Sequence, residues 1–166
     1  WNPEFVCAGG VCEDVETGFE WQENGAANPM TFDAAGSYCE NLETDGGGWR
    51  LPNISELRTL VRNCPDIGTD GGCGVLDVCP PCGVESAERC LTATLCKGLN
   101  CSPSECSNDG GPDGCYSSPE LGGTCQWFWS SSEEALSTCA FIVDFFKGEV
   151  DCYVKSSDSG YVRCVR

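Results

Sequence analysis

The sequence contains no histidine, and only nine Lys+Arg stand against 26 Asp+Glu in its 166 residues. The missing histidine excludes a Ser-His-Asp or Cys-His nucleophile and any zinc site with an imidazole ligand. Catalysis would have to use carboxylates, Lys, Tyr or thiolates. The formal charge of −17 argues against nucleic acid and anionic membranes as partners. No apolar run approaches the ~20 residues of a spanning helix, so membrane insertion is not expected. The chain opens on Trp1 without a leader, which reads as a mature, processed protein.

Cysteine is abundant: there are 16, an even number that permits full pairing. That density belongs to oxidised, secreted or cell-surface proteins. Zinc is the competing explanation. It is disfavoured because Cys79-x-x-Cys82 is the one tight knuckle and no second accompanies it. No cofactor or tightly held transition metal is expected.

Composition divides the chain. Residues 64–126 hold ten cysteines, eleven glycines, six prolines and one aromatic, Tyr116. The remaining 103 residues hold fifteen of the sixteen aromatics. Aromatics carry the largest burial per residue, so the core is expected from residues 1–63 and 127–166. The middle segment then orders itself through covalent bridges, as a cysteine-rich insertion within one domain spanning 1–166.

The flanks read as α+β. Val11–Val15 and Phe19–Gln22 are expected to pair as strands around Glu16-Thr17-Gly18. Thr31 is placed to cap a helix over 32–42, where Ala35, Tyr38, Cys39 and Leu42 share one face. Asn53 and Glu56 stand at capping-box spacing ahead of a second helix with Ile54, Leu57, Leu60 and Val61 on its buried stripe. Later, 127–131 reads as a strand, and 139–146 with 149–154 as a hairpin across Lys147-Gly148. Residues 161–166 read as a last strand. Strands, then two helices, then antiparallel strands suggest two paired chain ends.

Several segments in this order carry a resemblance. They are Asp14-Val-Glu-Thr-Gly-Phe-Glu-Trp-Gln22, Phe32-Asp-Ala-Ala…Tyr38-Cys39, Trp49-Arg-Leu-Pro-Asn-Ile-Ser-Glu-Leu57, Phe128-Trp-Ser-Ser131 and Val162-Arg-Cys-Val-Arg166. Together they resemble the bacterial Lcl C-terminal domain family, extracellular domains of mostly unknown function with a C-type-lectin-like fold. The resemblance implies two helices packed on a twisted antiparallel sheet, with a long loop region where 64–126 falls. It also implies a bridge from the first helix to the last strand, a place that Cys39 and Cys164 occupy. Cys139 and Cys152 lie on the two arms of the late hairpin, and Cys7 and Cys12 flank Ala8-Gly-Gly10. Both are further candidate pairs. The ten insertion cysteines stay unassigned.

Each motif also has a plain structural explanation. Trp49-Arg-Leu-Pro-x-x-x-Glu-Leu57 is similar to a stretch in formylglycine-generating enzymes, but the late cysteines sit at bridge-forming positions rather than as reactive thiols. Arg50 and Glu56 are better taken as polar anchors. The Glu-Pro-Asn, Gln-Pro-Asp and Trp-Asn-Asp signatures of calcium-dependent lectins are absent. Asp66 with Asp70, and Asp109 with Asp113, lie in glycine-rich loops able to wrap calcium, although such loops are also ordinary turn formers. Residues 1–49 hold ten Asp/Glu and no Lys or Arg, a solvated acidic face or a surface for cations. Asn100 is the better glycosylation candidate, since Asn53, also in a sequon, reads as a helix cap. Trp127 and Trp129 share a sheet face, either core or the wall of a ligand groove.

A non-enzymatic extracellular module is therefore expected, presenting its disulfide-held loop to a glycan or surface protein. The alternative is a structural subunit of a filament or layer built from copies of itself. Trp1 and Phe5 on the arm 1–6 would dock on a neighbour, or fold back on their own sheet.

Overall fold

The computed structural model describes residues 4–69, 73, 75, 106, 110, 111, 114–133 and 138–166. The described chain is α+β, with two helices and two antiparallel three-stranded sheets. The first sheet is β1 (Phe5–Ala8), β2 (Val11–Asp14) and β3 (Glu20–Gln22), in that order. Gly9 and Gly10 close the β1–β2 hairpin, both with positive φ, as a two-residue turn of the primed kind requires. Cys7 and Cys12 face each other across it and are joined, with Cα atoms 4.0 Å apart. β1 had no signature in the sequence, because only Phe5 of its four residues points inward.

Helix α1 (Phe32–Glu40) buries Ala35 and Cys39. It ends two residues before the expected Leu42, and the Thr31 side chain makes no capping bond. Helix α2 (Ile54–Arg58) is short but fully capped. Asn53 Oδ1 accepts the Glu56 N–H at 2.7 Å, and Glu56 Oε2 accepts the Asn53 N–H at 2.9 Å. These two bonds satisfy backbone donors that the first turn leaves open.

The second sheet is β4 (Trp127–Glu133), β5 (Cys139–Asp144) and β6 (Glu149–Val154), with β5 central. Every β5 residue is buried, because its two faces serve two cores. Phe141 and Val143 join Phe128, Val150, Ile54, Leu57 and Leu60 on the α2 side. Ala140 and Ile142 join Trp129, Ala35 and Cys39 on the α1 side. Such alternation along a strand is what packs one sheet between two layers. Cys139 and Cys152 are joined on this hairpin. Cys152 pairs with Phe141 rather than with Cys139, so the bridge runs diagonally.

The C-terminal segment departs from expectation. It forms isolated bridges instead of a continuous strand, because it changes partner at nearly every residue. Tyr161 bonds β4, the Val162 carbonyl accepts Ala26 N–H, and the Cys164 carbonyl accepts Gln22 N–H. Val165 exchanges two bonds with Arg50, and Arg166 exchanges two with Glu20. The segment thus stitches both sheets to the loop before α2. Cys39 and Cys164 are joined across 125 residues, and both are fully buried.

The insertion also contributes to the core, contrary to the division by composition. Ile67, Val75, Tyr116 and Leu121 all belong to the α2-side cluster. Tyr116 is 2% exposed, and its backbone bonds Arg62 and Phe145. Tyr116, the one aromatic of residues 64–126, thus joins the core that the flanking segments build.

Candidate functional site

The loop region is held on the core by two buried arginines, one at each end. Arg58 closes α2 and is 1% exposed. Its Nε donates to Ile67 O at 2.8 Å, its Nη1 to Val75 O, and its Nη2 to Gly68 O and to Cys73 O at 2.8 Å. Four carbonyls of the 67–75 stretch thus converge on one cation. No carboxylate of the described residues pairs with it, and burial lowers its pKa. Arg58 stands four residues after Ile54, on the apolar stripe of the helix. An arginine on a buried stripe was the available signal, and the sequence reading passed over it.

Arg163 does the same at the other end. It is 6% exposed, and its Nη1 donates to the carbonyls of Gln22 at 2.8 Å and Glu23, while its Nη2 donates to Gly122 O. Its guanidinium stands over the Phe128 ring, 5.7 Å from the centroid. Burial pulls its pKa down to about 10, partly opposed by the charge of Glu23. In a chain of nine cations, two are withdrawn from solvent to hold backbone.

Bridges reinforce both ends. Cys64 is joined to Cys106 and Cys115 to Cys125. No described cysteine is free. The β5–β6 turn supports the same region. Gly110 N–H donates to Phe146 O at 2.8 Å, and Gly148 packs so closely that an added Cβ would lie 2.7 Å from Cys106 Cβ. Beside Arg163, Leu60, Leu121, Thr124, Phe128 and Phe145 line a cleft of about 100 Å³.

A second, wider groove of about 750 Å³ runs between α1 and β4 past Phe32, Gly36, Arg50, Leu51 and Glu133. Arg50 lies at its edge in a bidentate pair with Glu56, at 2.6 and 2.7 Å. Burial would raise the Glu56 pKa, but the Arg50 hydrogen bond, the Asn53 N–H and the Arg50 charge outweigh it and lower it. The two residues serve each other and the α2 cap. At the chain end, Arg166 bonds Glu20 and Asp45 and lies over Trp49, 4.6 Å from its ring centroid.

The other predicted residues fall as follows. Trp129 is fully buried, with its indole N–H on Met30 O at 2.9 Å, and Trp127 packs edge-on against it at 5.2 Å. Both lie against the α1-side core and line neither cleft described here. Phe5 is 2% exposed beneath Arg62, so it folds back on its own sheet and is no free anchor for a neighbour. Of the two expectations for the arm, folding back holds for Phe5, which Arg62 covers from 57 positions away in sequence. Asp66 lies in the middle of the short turn Pro65–Ile67 and offers its carbonyl to Cys73 N–H. Trp1, Asp70, Asn100, Asp109 and Asp113 lie outside the described residues. Among the described residues, no three His, Cys, Asp or Glu side chains converge as a metal site. No described helix is long and apolar enough to cross a membrane.

A disulfide-braced α+β domain with an anchored loop region is thus defined. The chain belongs to the Lcl C-terminal domain family, whose model matches residues 10–166, nearly its whole length. No curated protein and no solved structure matches it.

Proposed function

We propose that this chain is a secreted, non-enzymatic recognition module of C-type-lectin-like design, using the disulfide-held segment between α2 and β4 to bind an extracellular glycan or surface protein. The observation that carries the reading is the double arginine clamp. Holding backbone carbonyls with two desolvated guanidinium groups is a costly way to stabilise a core. It is a suitable way to fix the two ends of a poorly hydrophobic segment. Preorganised loops lose less conformational entropy on binding, and rigid scaffolds commonly present them. Family membership and dense bridging support an oxidising, extracellular setting. Fold analogy alone would not suffice.

The test is an array of glycans and extracellular-matrix proteins, probed with the oxidised chain with and without calcium. Saturable binding to a restricted set of features supports the proposal. Absence of binding under both conditions refutes it. Particle size by light scattering on the same samples addresses the filament alternative.

A further inference from the structure

We propose that the cleft beside Arg163 binds a small carboxylate, gripped by the Nε and Nη2 edge of that guanidinium. This names a ligand chemistry for the loop region and rests on the recognition reading for its biological setting.

A guanidinium has five N–H donors. Three bonds, to the carbonyls of Gln22, Glu23 and Gly122, account for three of them. Nε–H and one proton of Nη2 meet no acceptor among the described residues. These two nitrogens form the edge that a carboxylate meets bidentately. Arg163 lines the cleft of about 100 Å³, room for an acetate-sized or propionate-sized group. The charge has no carboxylate of the described residues within ion-pair distance, and Glu23 offers the guanidinium its backbone oxygen. A buried cation that touches no carboxylate of the described residues is the electrostatic complement of an anion.

The walls select among anions. Leu60, Leu121, Phe128 and Phe145 line the same cleft with apolar surface, and Phe128 lies against the guanidinium. A phosphate or sulfate would bring more charged oxygens to be desolvated against these walls than a carboxylate does. A carboxylate on a short apolar stem turns both oxygens to Arg163 and its carbon to these walls. Ser117 and Thr124 also line the cleft and add polar groups to it.

The experiment uses the oxidised full chain and follows the Arg163 Nε–H signal by nitrogen-edited NMR. Sodium acetate is titrated against sodium chloride at equal ionic strength and against acetamide, its neutral isostere. The expected result is a saturable shift of Arg163 Nε–H with acetate, larger than at Arg50 or Arg62, and absent with chloride and acetamide. Thr124→Phe fills the cleft without removing a described side-chain bond and should weaken acetate about tenfold or more. Equal shifts with acetamide or chloride, or a response no larger than at Arg50 or Arg62, overturn the proposal. So does unchanged acetate affinity in a folded Thr124→Phe protein. If that variant does not fold, the wild-type titration decides by itself. A failed titration beside positive array binding removes only the carboxylate site, whereas a saturable titration without array binding removes only the module reading.

Discussion

Replacing Arg58 with Met keeps an unbranched apolar stem and deletes the guanidinium. Four carbonyls, of Ile67, Gly68, Cys73 and Val75, then lose their donor. Hydrogen bonds to a charged group are worth about 1.5–3 kcal/mol each, but they do not add for one shared donor. Two effects reduce the sum. The variant no longer desolvates a charge, and the 67–75 stretch can peel away and rehydrate its carbonyls. We expect a loss of about 3 kcal/mol, near the lower end of what breaking a buried ionic contact costs. The assay is urea unfolding with disulfides intact, combined with amide exchange. Cys73 N–H, bonded to Asp66 O at 3.0 Å, and Gly68 N–H, bonded to Pro65 O at 3.1 Å, should lose protection before the β5 amides do. Arg58→Lys retains a charge but not the planar fork, and should recover no more than about half of the loss. If Arg58→Met costs under about 1 kcal/mol, or leaves the 67–75 amides as protected as before, the clamp is not what holds this stretch.

Other perturbations test neighbouring parts of the account. The double change Cys39→Ala and Cys164→Ala opens a loop of 125 residues and should cost about 5 kcal/mol by the chain-entropy estimate, read as a lower unfolding midpoint. Asn53→Ala removes the α2 cap and should cost about 1 kcal/mol in the same assay. Glu56 has its pKa lowered below the ordinary 4.5, so its stabilisation is complete above that value. It fades as pH falls through the lower folded value. Glu56→Gln should therefore be less stable than the wild type at neutral pH and converge with it in acid. Gly148→Ala forces a Cβ against Cys106 and Tyr116 at a φ of +69°, and should destabilise by about 1–3 kcal/mol while loosening the 110–116 amides.

Much of the flanking fold was legible because its signals are local. Ala35 and Cys39 are one helical turn apart and are the two residues α1 buries. Asn53 and Glu56 form their box in both directions. Cys7 and Cys12 lie near a glycine pair that can only turn. What was missed depends on partners distant in sequence. Residues 161–166 look like a strand by composition, but their bonds are divided among the β3, β4 and Arg50 segments, so no ladder forms. Sequence left Phe5 either docking on a neighbour or folding back, because Arg62, which covers it, is 57 positions away. Tyr116 looked insufficient to seat the insertion, yet it reaches a core already built by β5 and β6. Arg163 was read only as part of a motif. Its role exists only when Gln22, Glu23 and Gly122 converge on it.

The central claim is that recognition depends on the anchored loop region rather than on the two-sheet scaffold. The most direct measurement is array binding by the chain after partial reduction that opens the bridges of the 64–126 segment, with near-UV circular dichroism of the buried tryptophans recorded on the same sample. Trp49 and Trp129 are at most 3% exposed and lie in the α1-side core, which no described residue of the 64–126 segment joins, so they report on the scaffold. The account predicts that binding is lost while the tryptophan signal stays native. Binding that survives with the loop bridges open, or that disappears only when the tryptophan signal does, would contradict it.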